Sequence, residues 1–171
     1  MIRNPRTNAA LNPRINSAIN PHINSALNPR VNSKINPRLN SQLNPRLNSV
    51  INPRLNSSIN PSLNSAINPR LNSALNPRLN SAVNPALNPN YRGPYVYDLN
   101  LDLQGFLVEA NADFSNIFNS EGVWEGFAVM NNSEGMTIFD VEKNWRSYLV
   151  PDGQGGFLRF EIDGSWSGIV V

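Results

Sequence analysis

Two patterns of apolar and polar positions divide the chain. From Leu11 to Leu87, aliphatic residues return at every fourth position, as in Ile15 and Ile19, Leu39 and Leu43, or Leu71 and Leu75. The residues between them set a longer period of eight, Asn-Pro-Arg-(Ile/Leu/Val)-Asn-Ser-x-(Ile/Leu/Val), with eleven copies beginning at Asn4, Asn12 and so on to Asn84. Asn opens each octad, Pro follows it, and the fifth residue is again Asn. Only the seventh position drifts freely, through Ala26, Lys34, Gln42, Val50 and Ser58.

This pattern excludes a continuous helix. A Pro every eight residues removes a donor and crowds the preceding turn, at about 3 kcal/mol each, and Asn and Ser are poor helix formers. Pairing in a central strand also fails, because Pro cannot donate to the ladder. A short-sided β-solenoid meets both constraints, with one aliphatic residue pointing inward from each side. Asn-Pro makes the corner: Pro sets φ, and the Asn side chain bonds the backbone beyond it. Sixteen residues per coil, or two octads, then give about five and a half coils stacked at ~4.8 Å, with equivalent Asn residues laddered amide on amide. Proline-, asparagine- and serine-rich repeats also occur as disordered chains, but the aliphatic phase never slips while the seventh position varies.

The tetrad resembles a shortened relative of the pentapeptide-repeat proteins, whose quadrilateral β-helices carry one apolar residue inward per side. The resemblance covers residues 4–90 and is one of architecture, since the period here is four or eight and not five. That family includes topoisomerase-binding proteins that mimic DNA with acidic surfaces, whereas this repeat is basic.

Beyond residue 90 the pattern changes to short alternating runs. "YVYDLNLDL" from Tyr95 to Leu103 reads as a half-buried strand. Further strands are expected at "FLVEANADF", "VWEGFAVM", "MTIFDV", "RSYLV", "GFLRFEI" and "SWSGIVV", separated by "NSEG", "NNSEG", "PDGQGG" and "DG" turns. "FSNIFNS" reads as a helical turn. Seven short strands so punctuated indicate an antiparallel sandwich or barrel. The expected class is therefore all-β, with a repeat solenoid over residues 1–90 and a small antiparallel β domain over residues 91–171.

Charge sharpens this division. Residues 1–90 carry nine Arg and Lys34 with no acid, a charge of +10, whereas residues 91–171 carry four basic residues against twelve acidic ones, a charge of −8. The third octad position is Arg at Arg6, Arg14, Arg30, Arg38, Arg46, Arg54, Arg70 and Arg78. In sixteen-residue coils these form two rows, with Arg38 and Arg54 about 5 Å apart at Cα, at the strand spacing. Such rows suit an anionic partner, either nucleic acid, an acidic surface or the acidic half of a second copy. No aromatic residue precedes Tyr91 to stack on bases.

The remaining chemistry is sparse. The chain has no cysteine, so disulfides, thiol nucleophiles and thiolate metal sites are excluded. The single His22 replaces Arg in a repeat that lacks any acid to orient it, and reads as a surface variant. Asp98, Asn100 and Asp102 have calcium-loop spacing, but Leu103 stands where the loop needs Gly, so a strand is expected instead. Glu121 and Glu125 flank Trp124, and all three tryptophans read first as packing residues. "PDGQGG" lacks the Lys and Ser/Thr of a phosphate loop. No catalytic, metal or cofactor constellation is expected.

No run approaches the ~18 apolar residues that span a bilayer, and "MIRNPRTNAALNPR" lacks the apolar centre of a signal peptide. Localisation is left open, with a cytoplasmic default. The functional expectation is a non-enzymatic structural protein that self-associates into a fibre, layer or scaffold. The alternative is a polyanion-binding module acting through the arginines, and a carbohydrate-binding role for the C-terminal part ranks third.

Overall fold

The computed structural model describes residues 3–171. It is all-β, and the repeat contributes only single 3-10 turns, from Ala9–Leu11 to Ser81–Val83. The second half forms eight strands: β1 Tyr95–Asp98, β2 Leu103–Asn111, β3 Phe114–Asn119, β4 Trp124–Met130, β5 Met136–Asp140, β6 Trp145–Pro151, β7 Phe157–Glu161 and β8 Trp166–Val170. Each pairs antiparallel with the next, and β8 pairs with β1 to close a barrel. Of the two expected forms, sandwich and barrel, the barrel is the one observed.

Two local expectations are corrected. The stretch from Tyr95 to Leu103 is not one strand but a strand followed by a hairpin turn. Asp98 Oδ1 accepts the N–H groups of Asn100 and Asp102, both at 2.9 Å, and Leu101 takes φ 64°. Its leucine alternation imitates a strand across a turn. Phe114–Asn119, expected as a helical turn, is strand β3, with Phe114, Asn116 and Phe118 buried in alternation.

The same turn recurs at a spacing of 21 residues. Leu101, Gly122, Lys143 and Gly164 all have positive φ, and each donates its N–H to the carbonyl three residues earlier, at 2.9–3.0 Å. This is the three-residue hairpin loop that ends in a left-handed residue. Register shifts follow Val96, Ile117, Ile138 and Arg159, again 21 apart. The barrel is thus four copies of one hairpin.

One face of the strands lines the lumen. There Leu107, Ala128, Leu149 and Val170 form a cluster of their own with Val96 and Ile138. Beside them Gly105, Gly126, Ser147 and Gly168 occupy the corresponding position in the four hairpins. At Gly126 the strands approach closely: a Cβ there would collide with the Phe139 carbonyl oxygen and lie 3.2 Å from Asp140 Cα. The other face is the outer wall, rich in aromatic residues, including Phe106, Phe118, Phe127, Phe139, Tyr148 and Phe160.

The repeat covers this wall. Eighth-position residues Leu11, Leu27 and Leu75 share one core cluster with it, and Ile51, Ile59 and Ile67 share another. Each such side chain contributes roughly 1.5–3 kcal/mol on full burial. The sixteen-residue solenoid is therefore corrected. Among the described residues, no hydrogen bond within the repeat joins positions more than seven apart, so no coils stack on one another. The fourth-position aliphatics do not point into a core either: Ile15, Leu39 and Leu63 are 68–72% exposed.

Asparagine holds the girdle together, through bonds to the backbone and not through amide ladders. Asn48 Oδ1 accepts the Val50 N–H at 3.1 Å, while its Nδ2 donates to the Gln42 carbonyl of the preceding octad at 2.8 Å. Asn68, at a first position, accepts from Arg70 N–H at 2.8 Å and donates to the Pro61 carbonyl at 2.9 Å. The Asn-Pro corner expected from sequence is present; its amide caps one turn and ties it to the last.

Two outcomes are expected in urea unfolding. Gly126→Ala costs about 3 kcal/mol or more by overpacking against a strand backbone, whereas Gly153→Ala, with no atom within 4 Å of its Cβ, costs only about 1–2 kcal/mol of left-handed strain. Asn48→Ala removes one accepted and one donated bond and costs about 2 kcal/mol, at ~1 kcal/mol per net hydrogen bond.

Candidate functional site

The girdle meets the barrel hairpins one after another, and its third-position side chains make the seam. Arg6 pairs with Asp102 and donates to the Asn100 carbonyl at 3.3 Å, while Arg14 donates to the Leu99 carbonyl at 2.8 Å, all on the β1–β2 turn. His22 stands edge-on to Trp166 at 5.5 Å on the β7–β8 hairpin, where Arg30 packs beside Gly164. Arg46 lies over Trp145 at 5.6 Å, and Arg54 donates to Asn144 Oδ1 at 2.8 Å and to the Glu142 carbonyl at 3.4 Å, on the β5–β6 hairpin. Arg70 lies over Trp124 at 5.2 Å, with Arg78 beside Gly122, on the β3–β4 hairpin. Tyr91 then closes the circuit by donating to the Leu107 carbonyl and packing edge-on to Tyr95 and Phe106.

The arginines therefore form no rows of stacked neighbours. Arg38 and Arg54, expected side by side, face different hairpins: Arg38 acts on Asp163 and Arg54 on Asn144. The opposite charges of the two halves meet within one chain. Asp98, Asn100 and Asp102 build the β1–β2 turn: Asp98 accepts the N–H groups of Asn100 and Asp102, Asn100 receives Arg6 and Arg14, and Asp102 receives Arg6, so the oxygens at calcium-like spacing are already engaged. Glu121 and Glu125 are exposed at the β3–β4 hairpin.

The seam leaves three clefts of about 290, 190 and 200 Å³. The first is lined by Arg46 and Arg54 with Phe139, Lys143, Asn144 and Trp145. The second repeats it with Arg70, Arg78, Phe118, Gly122, Val123 and Trp124. The third has His22, Arg30, Phe160, Gly164, Ser165 and Trp166. Girdle residues advance by 24 from cleft to cleft while barrel residues retreat by 21, so the clefts are equivalent positions of two interlocked repeats. The 21-residue spacing of Trp124, Trp145 and Trp166 is the sequence signal that locates them, obscured by the louder period of eight.

A second feature lies on the girdle's solvent side. Ten fourth-position aliphatics, one per octad from Ile15 to Leu87, are 66–72% exposed. The seventh position, equally open to water, accepts Lys, Gln and Ser. The fourth position does not admit charge or amide.

Among the ionisable groups, Asp140 anchors the β5–β6 turn. Partial burial pushes its carboxyl up, but hydrogen bonds from the Asn144 N–H and side chain, and from Arg146, outweigh this and hold it below the ordinary carboxylate value. A depressed folded value stabilises the turn above the ordinary carboxylate value, and that contribution is lost as pH falls through the folded one. A carboxyl carbon titration is expected to place Asp140 below ~3.9, with Arg146→Gln moving the midpoint upward. Comparison with known protein families, curated proteins and solved structures finds no match for this chain.

Proposed function

We propose that this is a non-enzymatic structural protein that assembles edge to edge into a layer, driven by its exposed aliphatic rim. The observation that carries this reading is the rim itself, ten aliphatic side chains held apolar at a position that faces water. Isolated exposed leucines are ordinary, but an ordered apolar band around a molecule marks a contact surface. A band that follows the circumference favours neighbours in the plane of the girdle.

The magnitudes favour a cooperative lattice over a tight dimer. Three octads span one hairpin, and three rim residues contribute roughly 3–6 kcal/mol when about 70% of each is covered. Association costs about 4–15 kcal/mol in lost freedom, so one contact alone is weak. Contacts on several sides of the same molecule reinforce one another. The driving force is apolar and not the opposition of charged halves, because Arg6, Arg14 and Arg54 already bond the barrel of their own chain.

Sedimentation velocity across protein concentration and ammonium sulfate tests this. Kosmotropic salt strengthens apolar burial, so large species are expected to grow with sulfate, where charge-driven assembly would dissolve as salt rises. The combined Leu47→Asn, Leu55→Asn and Leu63→Asn variant, which removes one side of the rim, is expected to form smaller species than the wild type at each sulfate concentration, with an unchanged melting curve. A wild-type monomer at millimolar concentration in high sulfate overturns the reading.

A further inference from the structure

We propose that the three seam clefts are equivalent binding sites for carboxylate-bearing sugar rings. The argument begins in the fourth quadrant, where the same architecture is closed by the chain itself. Arg6 is the equivalent of Arg30, Arg54 and Arg78, each 24 residues further along the girdle. Its guanidinium holds the carboxylate of Asp102, and the adjacent barrel residue is Leu103. In the other quadrants the position of Asp102 is taken by Val123, Asn144 and Ser165, and that of Leu103 by Trp124, Trp145 and Trp166. Where the carboxylate is internal there is no indole; where it is missing, an indole and a cleft stand beside the guanidinium, which in the first cleft meets only neutral oxygens, those of Asn144 and the Glu142 carbonyl.

The lining specifies what would fill the gap. None of the three clefts is lined by Asp or Glu; the first has two arginines and Lys143, the second two arginines, and the third Arg30 with His22. An arginine fork matches a carboxylate in two parallel hydrogen bonds. The indole, covered on one side by Arg46 or Arg70 in the first two clefts, gives each cleft an aromatic wall, and Asn52, Asn76 or Asn28 supplies an amide to hydroxyl groups. Volumes below those of drug-sized pockets suit a single six-membered ring. A uronic acid combines these features: one carboxylate, one stacking face and several hydroxyls.

The three clefts differ in strength. The first has Arg46, Arg54 and Lys143 and is the strongest. The third has His22 in place of the stacked arginine, and Asp163 lies close enough to Arg30 for its carboxyl to be lowered by it, so it is the weakest. Three sites on one rigid ring favour a polymeric acidic glycan over its monomer through effective concentration.

Each cleft contains one of the chain's three tryptophans, so indole N–H resonances report the clefts separately. Glucuronate is expected to shift all three, that of Trp145 at the lowest concentration, with polygalacturonate at least tenfold more potent per residue. Glucose, acetate and inorganic phosphate are the controls and are expected to have little effect. Asn144→Asp copies the closed quadrant by giving Arg54 an internal carboxylate. It is expected to abolish the Trp145 response while Trp124 and Trp166 still respond, which also shows that the variant is folded. No indole shift with glucuronate, equal shifts with acetate or phosphate, or an undiminished Trp145 response in Asn144→Asp each overturns the proposal.

Discussion

A barrel whose outer wall carries Phe106, Phe118, Phe127, Phe139, Tyr148 and Phe160 cannot remain bare in water. An octad chain with one inward aliphatic per turn cannot bury that residue against itself. Each half resolves the other's exposure, and the contact between eighth-position aliphatics and the aromatic wall supports everything else in the molecule. Among the described residues, the hydrogen bonds within the girdle are all short-range, and these determine local turns but not where the chain runs. With the wall contact, the chain is wound around the barrel, and the third-position side chains are delivered to the hairpin turns.

Two unequal repeats are matched by this winding. The girdle uses three octads where the barrel uses one hairpin, and it runs opposite to the order of the hairpins, from β1–β2 through β7–β8 and β5–β6 to β3–β4. Repetition on both sides makes the seam positions recur, so the Arg–Trp pairs at Trp124 and Trp145 and the His–Trp pair at Trp166 stand at equivalent places. The clefts follow from the same geometry, since a hairpin turn and a girdle turn cannot pack flush at every position. Their chemistry diverges where either repeat does: in the barrel at Val123, Asn144 and Ser165 and at Lys143 against Gly122 and Gly164, and in the girdle at His22 against Arg46 and Arg70.

The rim and the clefts use different residues of the same octad. Position eight is committed to the wall, position three to the seam, and position four is left facing solvent. An assembling layer and a glycan-binding seam are therefore compatible: occupying the clefts does not cover the rim.

The sequence by itself determined the local chemistry. Asn-Pro turns, the all-β class, the polar punctuation and most strand positions were legible because each depends on neighbours a few residues away. Two exceptions have physical causes. Leucine alternation across Asp98–Leu103 looks like a strand because the turn's left-handed position is occupied by Leu101, not glycine. Phe114–Asn119 gave no clear strand signal because the central residue of its girdle-facing side is Asn116, whose amide donates to the Ile67 carbonyl at 3.0 Å across the seam. Only the tertiary structure decided which aliphatic faced inward and what the arginines met. Positions four and eight are chemically alike along the chain, and a period of four is equally consistent with two inward faces or one. The choice rests on a surface supplied by the other half of the protein, far along the chain (49 residues separate even Ile67 from Asn116), which no local pattern encodes.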